Sequence, residues 1–281
     1  MTREALPHEY ELANALFPGP DWKAARVDEG GQFHLVLVAR DQAVMRMSRT
    51  AGAAADMQRR MDLVQALSGT FSFQLPTALS QVWHGKDFSA VIQRYVPGAA
   101  YPPHTGDVVR LRSVLEELAA VDVRPLANLL APPFSYRGPW TTQKIDATLK
   151  ALPPDLVDAA RRVLDTIPAF ETVPASLVHG DLTGHNMRWH DGELLGVLDW
   201  DLAAAWDPAL NAAYLASWHG ADVLDAIAPN QEEAWRARMW LGAMALESVF
   251  DASLNPNRDI GALIDKIRPR LVAAAAAAGH G

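Results

Sequence analysis

The sequence predicts an α+β fold in two lobes, a small antiparallel β lobe followed by a larger helical lobe. Short strand-like segments separated by turn signals fill roughly the first third of the chain. Beyond them, apolar residues recur with the spacing of helices. The pair Pro97-Gly98 stands between the two patterns and interrupts both kinds of element. We therefore predict a first domain over residues 1–96 and a second over residues 97–281.

The first lobe is predicted to contain several strands and one helix. Turn signals at Gly30-Gly31, Asp41-Gln42 and residues 85–87 separate the strands. Ala, Met, Leu and Val at helical spacing predict the helix. The predicted strands cover 25–28, 33–39, 43–47, 78–83 and 89–95, and the helix covers 52–68.

The second lobe is predicted to be helical, with one hairpin. Asp191-Gly192 is a typical hairpin turn dipeptide. It separates a strand over Met187–His190 from an apolar strand over Leu194–Leu198, which ends at Asp199. Helices are predicted near 106–121, 141–150, 154–166, 207–218, 231–252 and 258–277.

Composition excludes several classes of function. The chain contains no Cys, so neither disulfides nor thiolate zinc sites are possible. No apolar run reaches the ~20 residues of a membrane span, and the first residues lack a secretory apolar segment. A net charge of −8 argues against nucleic acid as a partner. We expect a cytoplasmic protein that contacts no membrane, as a monomer or a homodimer.

The most informative segment is Leu-Val-His-Gly-Asp-Leu-Thr-Gly-His-Asn over residues 177–186. It places a carboxylate, Asp181, and an amide, Asn186, on one short loop. A second carboxylate, Asp199, follows the apolar strand of the hairpin. Phosphoryl transfer from a nucleotide needs an acid that orients the attacking hydroxyl, and oxygen ligands that hold Mg²⁺ on the phosphates. These residues therefore predict a catalytic loop and a metal-binding strand end.

The same segment resembles the H-x-D-x-x-x-x-N motif of the aminoglycoside phosphotransferase and choline kinase-like family, which is related to protein kinases. The resemblance implies a two-lobed protein kinase-like fold, ATP or GTP as phosphoryl donor, Mg²⁺, and a small-molecule acceptor. It also implies that Asp181 is catalytic, that Asn186 and Asp199 bind the metal, and that His179 stabilises the loop. A role in antibiotic resistance or in ordinary metabolism is compatible with it.

Other nucleotide-binding positions depart from the family pattern. Arg46 stands mid-strand where the family usually has a Lys that reaches the phosphates, and its guanidinium fork can also bind phosphate. Arg60 stands where the family's helix carries the Glu that pairs with that Lys, so Asp56 or Asp62 could substitute. By resemblance, the backbone of Arg94, Tyr95 and Val96 hydrogen-bonds the purine, which does not separate ATP from GTP.

The acceptor side is predicted to be acidic. Between Trp200 and Asp265 there are ten acids and three strong bases, and in the family this region forms the acceptor wall, so we expect a cationic acceptor. The predicted acceptor-binding residues are Asp201, Trp240, Glu247 and Asp251. Asp201 could instead bind a second Mg²⁺ or cap a helix. For the helical residues the alternative is core packing beside solvated acids, with Trp235, Met239, Leu246 and Phe250 as the core stripe of the same helix.

The reaction type is predicted more narrowly than the acceptor. By resemblance we expect an aminoglycoside or amino sugar. The alternatives are choline, homoserine, a sugar or a macrolide, and a nucleotide-binding pseudokinase supported only by the departures at Arg46 and Arg60. The short stretch between Asp199 and the helix near residue 207 leaves little room for the activation segment of a protein kinase.

Overall fold

The structure, a computed structural model, describes residues 2–255 and 257–278. The chain divides into two compact units. The first combines residues 2–100 with 128–130 and 185–200, and the second combines 101–127, 131–184 and the chain from 201 onward. The break at 100/101 lies close to the predicted boundary. Segment 185–200, which we assigned to the second domain, packs instead within the first unit.

An antiparallel six-stranded sheet forms the first unit, in the order β1-β2-β3-β4-β6-β5. Its core consists of alternate strand residues such as Val27, Leu37, Met45 and Ile92, all fully buried. This alternation is the period-two pattern that allowed most strands to be predicted. The strands are β1 (Thr2–Glu4), β2 (Arg26–Asp28), β3 (His34–Ala39), β4 (Ala43–Ser48), β5 (Trp83–His84) and β6 (Ser89–Arg94); the helices of this unit are α1 (Pro7–Leu16) and α2 (Ala51–Leu67).

The predicted strand over 78–83 was largely wrong. Only Trp83 of that range belongs to a strand, and Ala78 forms a single isolated bridge to Gln93. The Ser80 hydroxyl accepts the Ile92 N–H at 3.0 Å. Because this side chain takes a backbone donor that a neighbouring strand would use, the regular ladder does not form there.

The predicted hairpin is confirmed, and it packs in the first unit. Strands β8 (Met187–His190) and β9 (Glu193–Val197) pair in antiparallel register. Asp191 and Gly192 both have positive φ, 48° and 78°, as a type I′ turn requires. The hairpin places Asn186 immediately before its first strand and Asp199 shortly after its second.

The second unit is helical apart from one short strand pair. Strands β7 (Ser176–Val178) and β10 (Ala204–Trp206) pair antiparallel. Side chains of Asp107, Thr141, Asn230 and Asp259 cap four of the helices. The helices are α3 (Val108–Ala119), α4 (Thr142–Ala151), α5 (Pro154–Thr166), α6 (Ala209–His219), α7 (Leu224–Ile227), α8 (Gln231–Ser253) and α9 (Ile260–Ala277).

Helix α8 packs within the second unit. It buries residues around most of its circumference, including Ala237, Met239, Trp240 and Leu246. Trp240, predicted on a stripe apart from the core stripe, is 3% exposed and is therefore buried as well. Across the described residues, none of the helices combines the length and apolarity that a membrane span needs.

Candidate active site

One cavity of about 360 Å³ lies in the first unit, against β3, β4 and the end of the hairpin. Its wall contains every first-unit residue that the sequence marked as binding nucleotide or metal. These residues are Arg46, Arg94, Tyr95, Val96, Asn186 and Asp199. The side chains of Val36, Val38 and Val44 give it an apolar side. A flat apolar face beside charged groups is the combination that a nucleotide needs for its base and its phosphates.

Arg46 lies at the charged side of this cavity. Its Nη2 atom is 2.9 Å from His34 Nδ1 and 3.2 Å from Asp199 Oδ1. Asp56 pairs with Arg59 and Arg60, at 3.3 and 3.5 Å. Arg46 therefore forms an ion pair with the predicted metal ligand, and His34 is a neighbour that no sequence pattern indicated.

Asn186 and Asp199 are held together through the backbone. The Leu198 N–H donates to the Asn186 carbonyl at 2.8 Å. Asp199 has a φ of +60°, a left-handed conformation that is uncommon outside glycine but tolerated by Asp. Trp200, 2% exposed, anchors the following turn by stacking on Phe71 with ring centroids 5.5 Å apart. Two hard oxygen donors beside an open cavity suit Mg²⁺, which keeps positions for water and phosphate.

The predicted metal ligands are two. Within 2–255 and 257–278, the structure has no group of three or more His, Cys, Asp or Glu side chains that could hold an ion by themselves. The oxygen donors of Asn186 and Asp199 would fit Mg²⁺ held jointly with nucleotide phosphates, as in phosphoryl-transfer enzymes.

Asp201 lies beyond the second strand of the hairpin. Strand β9 ends at Val197 and the backbone turns at Asp199, so Asp201 does not continue the strand. Asp201 is 7% exposed within a 3-10 turn over Trp200–Leu202 and belongs to the second unit.

The catalytic loop follows β7 in the second unit. His179 is fully buried, and its N–H donates to Asn211 Oδ1 at 3.0 Å. The Asn211 amide in turn donates to the Leu177 carbonyl at 2.9 Å. His179 Nδ1 accepts the Asp181 N–H at 3.2 Å. These contacts are those of a loop-stabilising histidine, and Asn211 supports both the strand end and the loop.

Two glycines fit the loop closely against its neighbours. Gly180 has a φ of +86°, and a Cβ there would lie 2.4 Å from the Leu202 carbonyl oxygen. At Gly184 a Cβ would lie 2.2 Å from Trp218 Nε1. That indole donates to the Tyr101 carbonyl at 2.8 Å. The loop sequence therefore needs glycine at both positions for steric reasons, beyond the residues that carry chemistry.

A second cavity lies beside this loop, within the second unit. Gly180 forms part of its wall, and six of the other lining residues are aromatic. Burial is the main reason that the pKa of Tyr214 rises above its usual value, and the charges of Asp181 and Glu247 raise it further. Tyr214 therefore keeps its hydroxyl proton. The ring-bearing wall residues are Phe134, Tyr136, Trp140, Trp206, Tyr214 and Trp240.

The predicted acceptor acids are already paired. Glu247 lines this cavity and is 3.2 Å from Lys144 Nζ and 3.5 Å from Arg137 Nη1. Asp251 is 2.8 Å from Arg137 Nη2. Arg137 and Lys144 lie outside the acid-rich segment, so a count of charges along that segment could not reveal them.

Trp240 has two roles in the described structure. It lines the cavity and donates its Nε1 hydrogen to Asp207 Oδ2 at 2.8 Å. Asp207 also accepts from Arg236 Nε at 3.1 Å, in a fully buried pair. At least five of the ten acids between Trp200 and Asp265 are in ion pairs: Asp207, Asp225, Glu232, Glu247 and Asp251. Among the described residues that line the cavity, the charged ones are Glu247 and Arg137, which have opposite signs. This wall is therefore closer to neutral than the composition of the acid-rich segment predicted.

The sequence profile of the phosphotransferase enzyme family matches residues 23–246. The chain belongs to that family. This phosphotransferase is 30% identical over 241 residues to the viomycin phosphotransferase of Streptomyces vinaceus, a match that covers 76% of this chain and 80% of the relative. It is accordingly a small-molecule phosphotransferase, as the catalytic-loop motif predicted.

Solved structures of related enzymes share the fold. A GDP and kanamycin complex of an APH(2″) aminoglycoside phosphotransferase superposes with a TM-score of 0.73 at 17% identity, covering 94% of this phosphotransferase and 98% of that chain. A macrolide 2′-phosphotransferase from Brachybacterium faecium gives 0.61 at 21% identity, with 95% of each chain covered. At such identities the likeness concerns the fold, and it confirms the predicted α+β class.

Proposed function

We propose that this phosphotransferase moves the γ-phosphoryl group of ATP or GTP to a hydroxyl of an aminoglycoside or amino sugar. The observation that carries the proposal is the position of the Asp181 loop, through Gly180, beside a cavity lined by six aromatic residues. Stacked and edge-on aromatic rings bind cyclic molecules through area and shape. A carboxylate on a loop beside such a cavity can orient a bound hydroxyl.

In the proposed reaction, the acceptor hydroxyl oxygen forms a bond to the γ-phosphorus while the bond from that phosphorus to the β–γ bridging oxygen breaks. The hydroxyl proton passes to the Asp181 carboxylate, and the nucleoside diphosphate leaves with the bridging electrons. Little covalent chemistry is asked of the protein, because positioning and charge neutralisation carry most of the rate. Thr183 Oγ1, which donates to Asp181 Oδ1 at 3.1 Å, helps to fix the orientation of the carboxylate.

The first unit would hold the donor. Arg46 would contact the phosphates, and Asn186 and Asp199 would hold Mg²⁺. Bound there, the metal supplies positive charge that neutralises the phosphate oxygens. The Arg94 N–H already donates to the Thr77 carbonyl at 2.8 Å. We therefore assign the purine contact to the backbone of Tyr95 and Val96.

A second candidate acceptor is viomycin. The relative that carries this name shares 30% identity over most of both chains, which is higher than the 17% shared with the kanamycin-bound enzyme. Choline, homoserine and macrolides remain in the test panel as acceptors with fewer or no amines.

The test is release of nucleoside diphosphate from ATP and from GTP with Mg²⁺, measured over this panel. We expect release that depends on an acceptor with amines, and a fall of about 10²–10⁴-fold in Asp181→Asn, the range for loss of an acid–base group. The variant should still bind nucleotide. Equal turnover of wild type and variant, or turnover only of choline or homoserine, would contradict the proposal.

A further inference from the structure

The guanidinium of Arg137 lies where a cationic group of the acceptor would bind. Its Nη1 atom is 3.5 Å from Glu247 and its Nη2 atom is 2.8 Å from Asp251. Arg137 and Glu247 both line the aromatic cavity beside the Asp181 loop. The two acids that could attract an amine therefore already share a cation that belongs to the protein itself.

The two bases around Glu247 differ in how firmly they are held. Lys144 is 5% exposed, donates to the carbonyls of Arg137 and Gly138 at 3.2 and 3.1 Å, and lies 4.4 Å from the centre of the Trp140 ring. These contacts and the 3.2 Å ion pair with Glu247 hold Lys144 in place.

Arg137 is held less firmly than Lys144. A quarter of its side chain is exposed, and among the described residues its buried Nε atom has no hydrogen-bond partner. Its guanidinium packs 4.8 Å from the centre of the Tyr136 ring. A side chain with one unsatisfied donor and an open path to water can leave its partners at modest cost. Asp251 is itself a third exposed.

We propose that Arg137 is a specificity-determining residue that competes with the acceptor's cationic group for Glu247 and Asp251. This inference rests on the proposed function. An acceptor amine or guanidine binds there only by exchange with Arg137, so one cation replaces another. Multiple amines therefore gain little affinity from this wall. Recognition therefore depends more on the aromatic rings and on hydroxyl contacts than it would at a purely acidic wall.

Steady-state kinetics of Arg137→Gln test the proposal. The acceptor is one that the wild type phosphorylates, used both in its free-amine form and in its N-acetylated form, which lacks the charge. We expect the KM for the free-amine form to fall on the order of tenfold, which corresponds to about 1.4 kcal/mol. The KM for the acetylated form should change much less than the KM for the free-amine form, because the acetylated form brings no charge to the two acids.

Two further variants separate charge from packing. Arg137→Lys keeps a cation and is expected to retain a KM near that of the wild type. Arg238→Gln removes a positive charge from α8 that pairs with Asp225 at 2.6 Å and takes no part in the cavity wall. It should leave every acceptor KM unchanged, so a fall there would attribute the effect to net charge and overturn the assignment.

Exchange also has a direct readout in the wild-type protein. In ¹⁵N-arginine NMR spectra, a saturating free-amine acceptor should shift the Arg137 side-chain signal toward that of a solvated guanidinium, whereas the acetylated acceptor should not. An unchanged signal, or a higher KM in Arg137→Gln, would mean that Arg137 binds the acceptor or is inert. If the wild type turns over none of the acceptors, the proposed function is rejected instead. The NMR measurement requires that the acceptor binds and does not require its turnover.

Discussion

In the first-unit cavity, two side chains of opposite charge form an ion pair that a bound nucleotide would separate. Arg46 lies 3.2 Å from Asp199, so one side chain proposed for phosphate contacts the other proposed for metal. The sequence identified both residues through the motif and the position in the strand. It could not identify their mutual contact, which joins residues far apart in the chain, or the part played by His34.

Replacing Arg46 tests its role toward phosphate. Arg46→Ala is expected to raise the KM for the nucleotide by roughly tenfold or more, because a hydrogen bond to a charged group contributes about 1.5–3 kcal/mol. Arg46→Lys should give an intermediate value, since it keeps the charge and loses the fork. Arg40→Ala, at an exposed arginine directly after β3, is the control. An unchanged nucleotide KM in Arg46→Ala would contradict the assignment.

The buried pair of Asp207 and Arg236 makes a prediction about stability. Asp207→Ala would leave Arg236, 7% exposed, with the exposed Glu232 as its remaining carboxylate partner. Breaking one side of a buried pair costs about 3–5 kcal/mol. We expect a loss of that size in the free energy of unfolding, measured by urea titration.

The exposed pair of Asp225 and Arg238 is the matched control. It joins α7 to the same helix α8, and exposed pairs contribute only about 0–1 kcal/mol. Asp225→Ala should therefore lower the free energy of unfolding by less than about 1 kcal/mol. Equal losses in the two variants would show that burial does not set the strength of the Asp207 pair.

At the scale of elements, prediction succeeded where local signals agreed with tertiary packing. The Asp191-Gly192 hairpin combines a specific turn dipeptide with flanking apolar strands, and its structure follows both. Strand β1 and helix α1 escaped prediction, although α1 has a local signal in Pro7 at its first position. Arg3 of β1 pairs with Glu29 at 2.8 Å, a contact between distant parts of the chain that no local pattern reveals.

The packing of α8 against its neighbours explains a glycine within a helix. A Cβ at Gly242 would lie 2.9 Å from Ala274 Cβ of α9 and 3.1 Å from a Val163 methyl of α5. Helix propensity alone favours alanine over glycine by about 1 kcal/mol. Overpacking of a tight contact costs about 1–3 kcal/mol. We therefore expect Gly242→Ala to lower the free energy of unfolding.

Gly52→Ala provides the opposite case for the same change. Gly52 is exposed in the first turn of α2, and a Cβ added there would meet no other atom within 4 Å. This variant should be more stable than the wild type by up to about 1 kcal/mol. Thermal unfolding of the two variants decides the point, and a stabilising Gly242→Ala would show that the helices separate easily.

At the scale of the whole molecule, the net charge of −8 does not describe the acceptor wall. Composition places the acids in one segment, but folding brings Arg137 and Lys144 to them from elsewhere in the chain. The charge counted along a sequence therefore indicates which partners the surface attracts better than it indicates the charge inside a cavity. The predicted catalytic groups, in contrast, lie close together in the sequence, so a motif could indicate them.

Because the two cavities lie in different compact units, their ligands should protect different segments of the chain from hydrogen exchange. In hydrogen–deuterium exchange measurements, Mg²⁺ with a nucleoside diphosphate should slow the exchange mainly over 34–46, 93–98 and 186–199. A phosphorylatable acceptor should slow it mainly over 132–140 and 206–214. A bound ligand stabilises the folded state against opening by an amount that grows with the logarithm of the ligand concentration above its Kd. Protection of the first set by the acceptor alone would contradict the assignment of the cavities.

The aromatic lining of the acceptor cavity has a spectroscopic consequence. Trp140, Trp206 and Trp240 all contribute to that wall, whereas the described residues around the first-unit cavity supply Phe33 and Tyr95 but no tryptophan. Indole emission responds to changes in the polarity around the ring. Acceptor binding should therefore change the intrinsic fluorescence of the protein without a dye or label, and nucleotide binding should change it less.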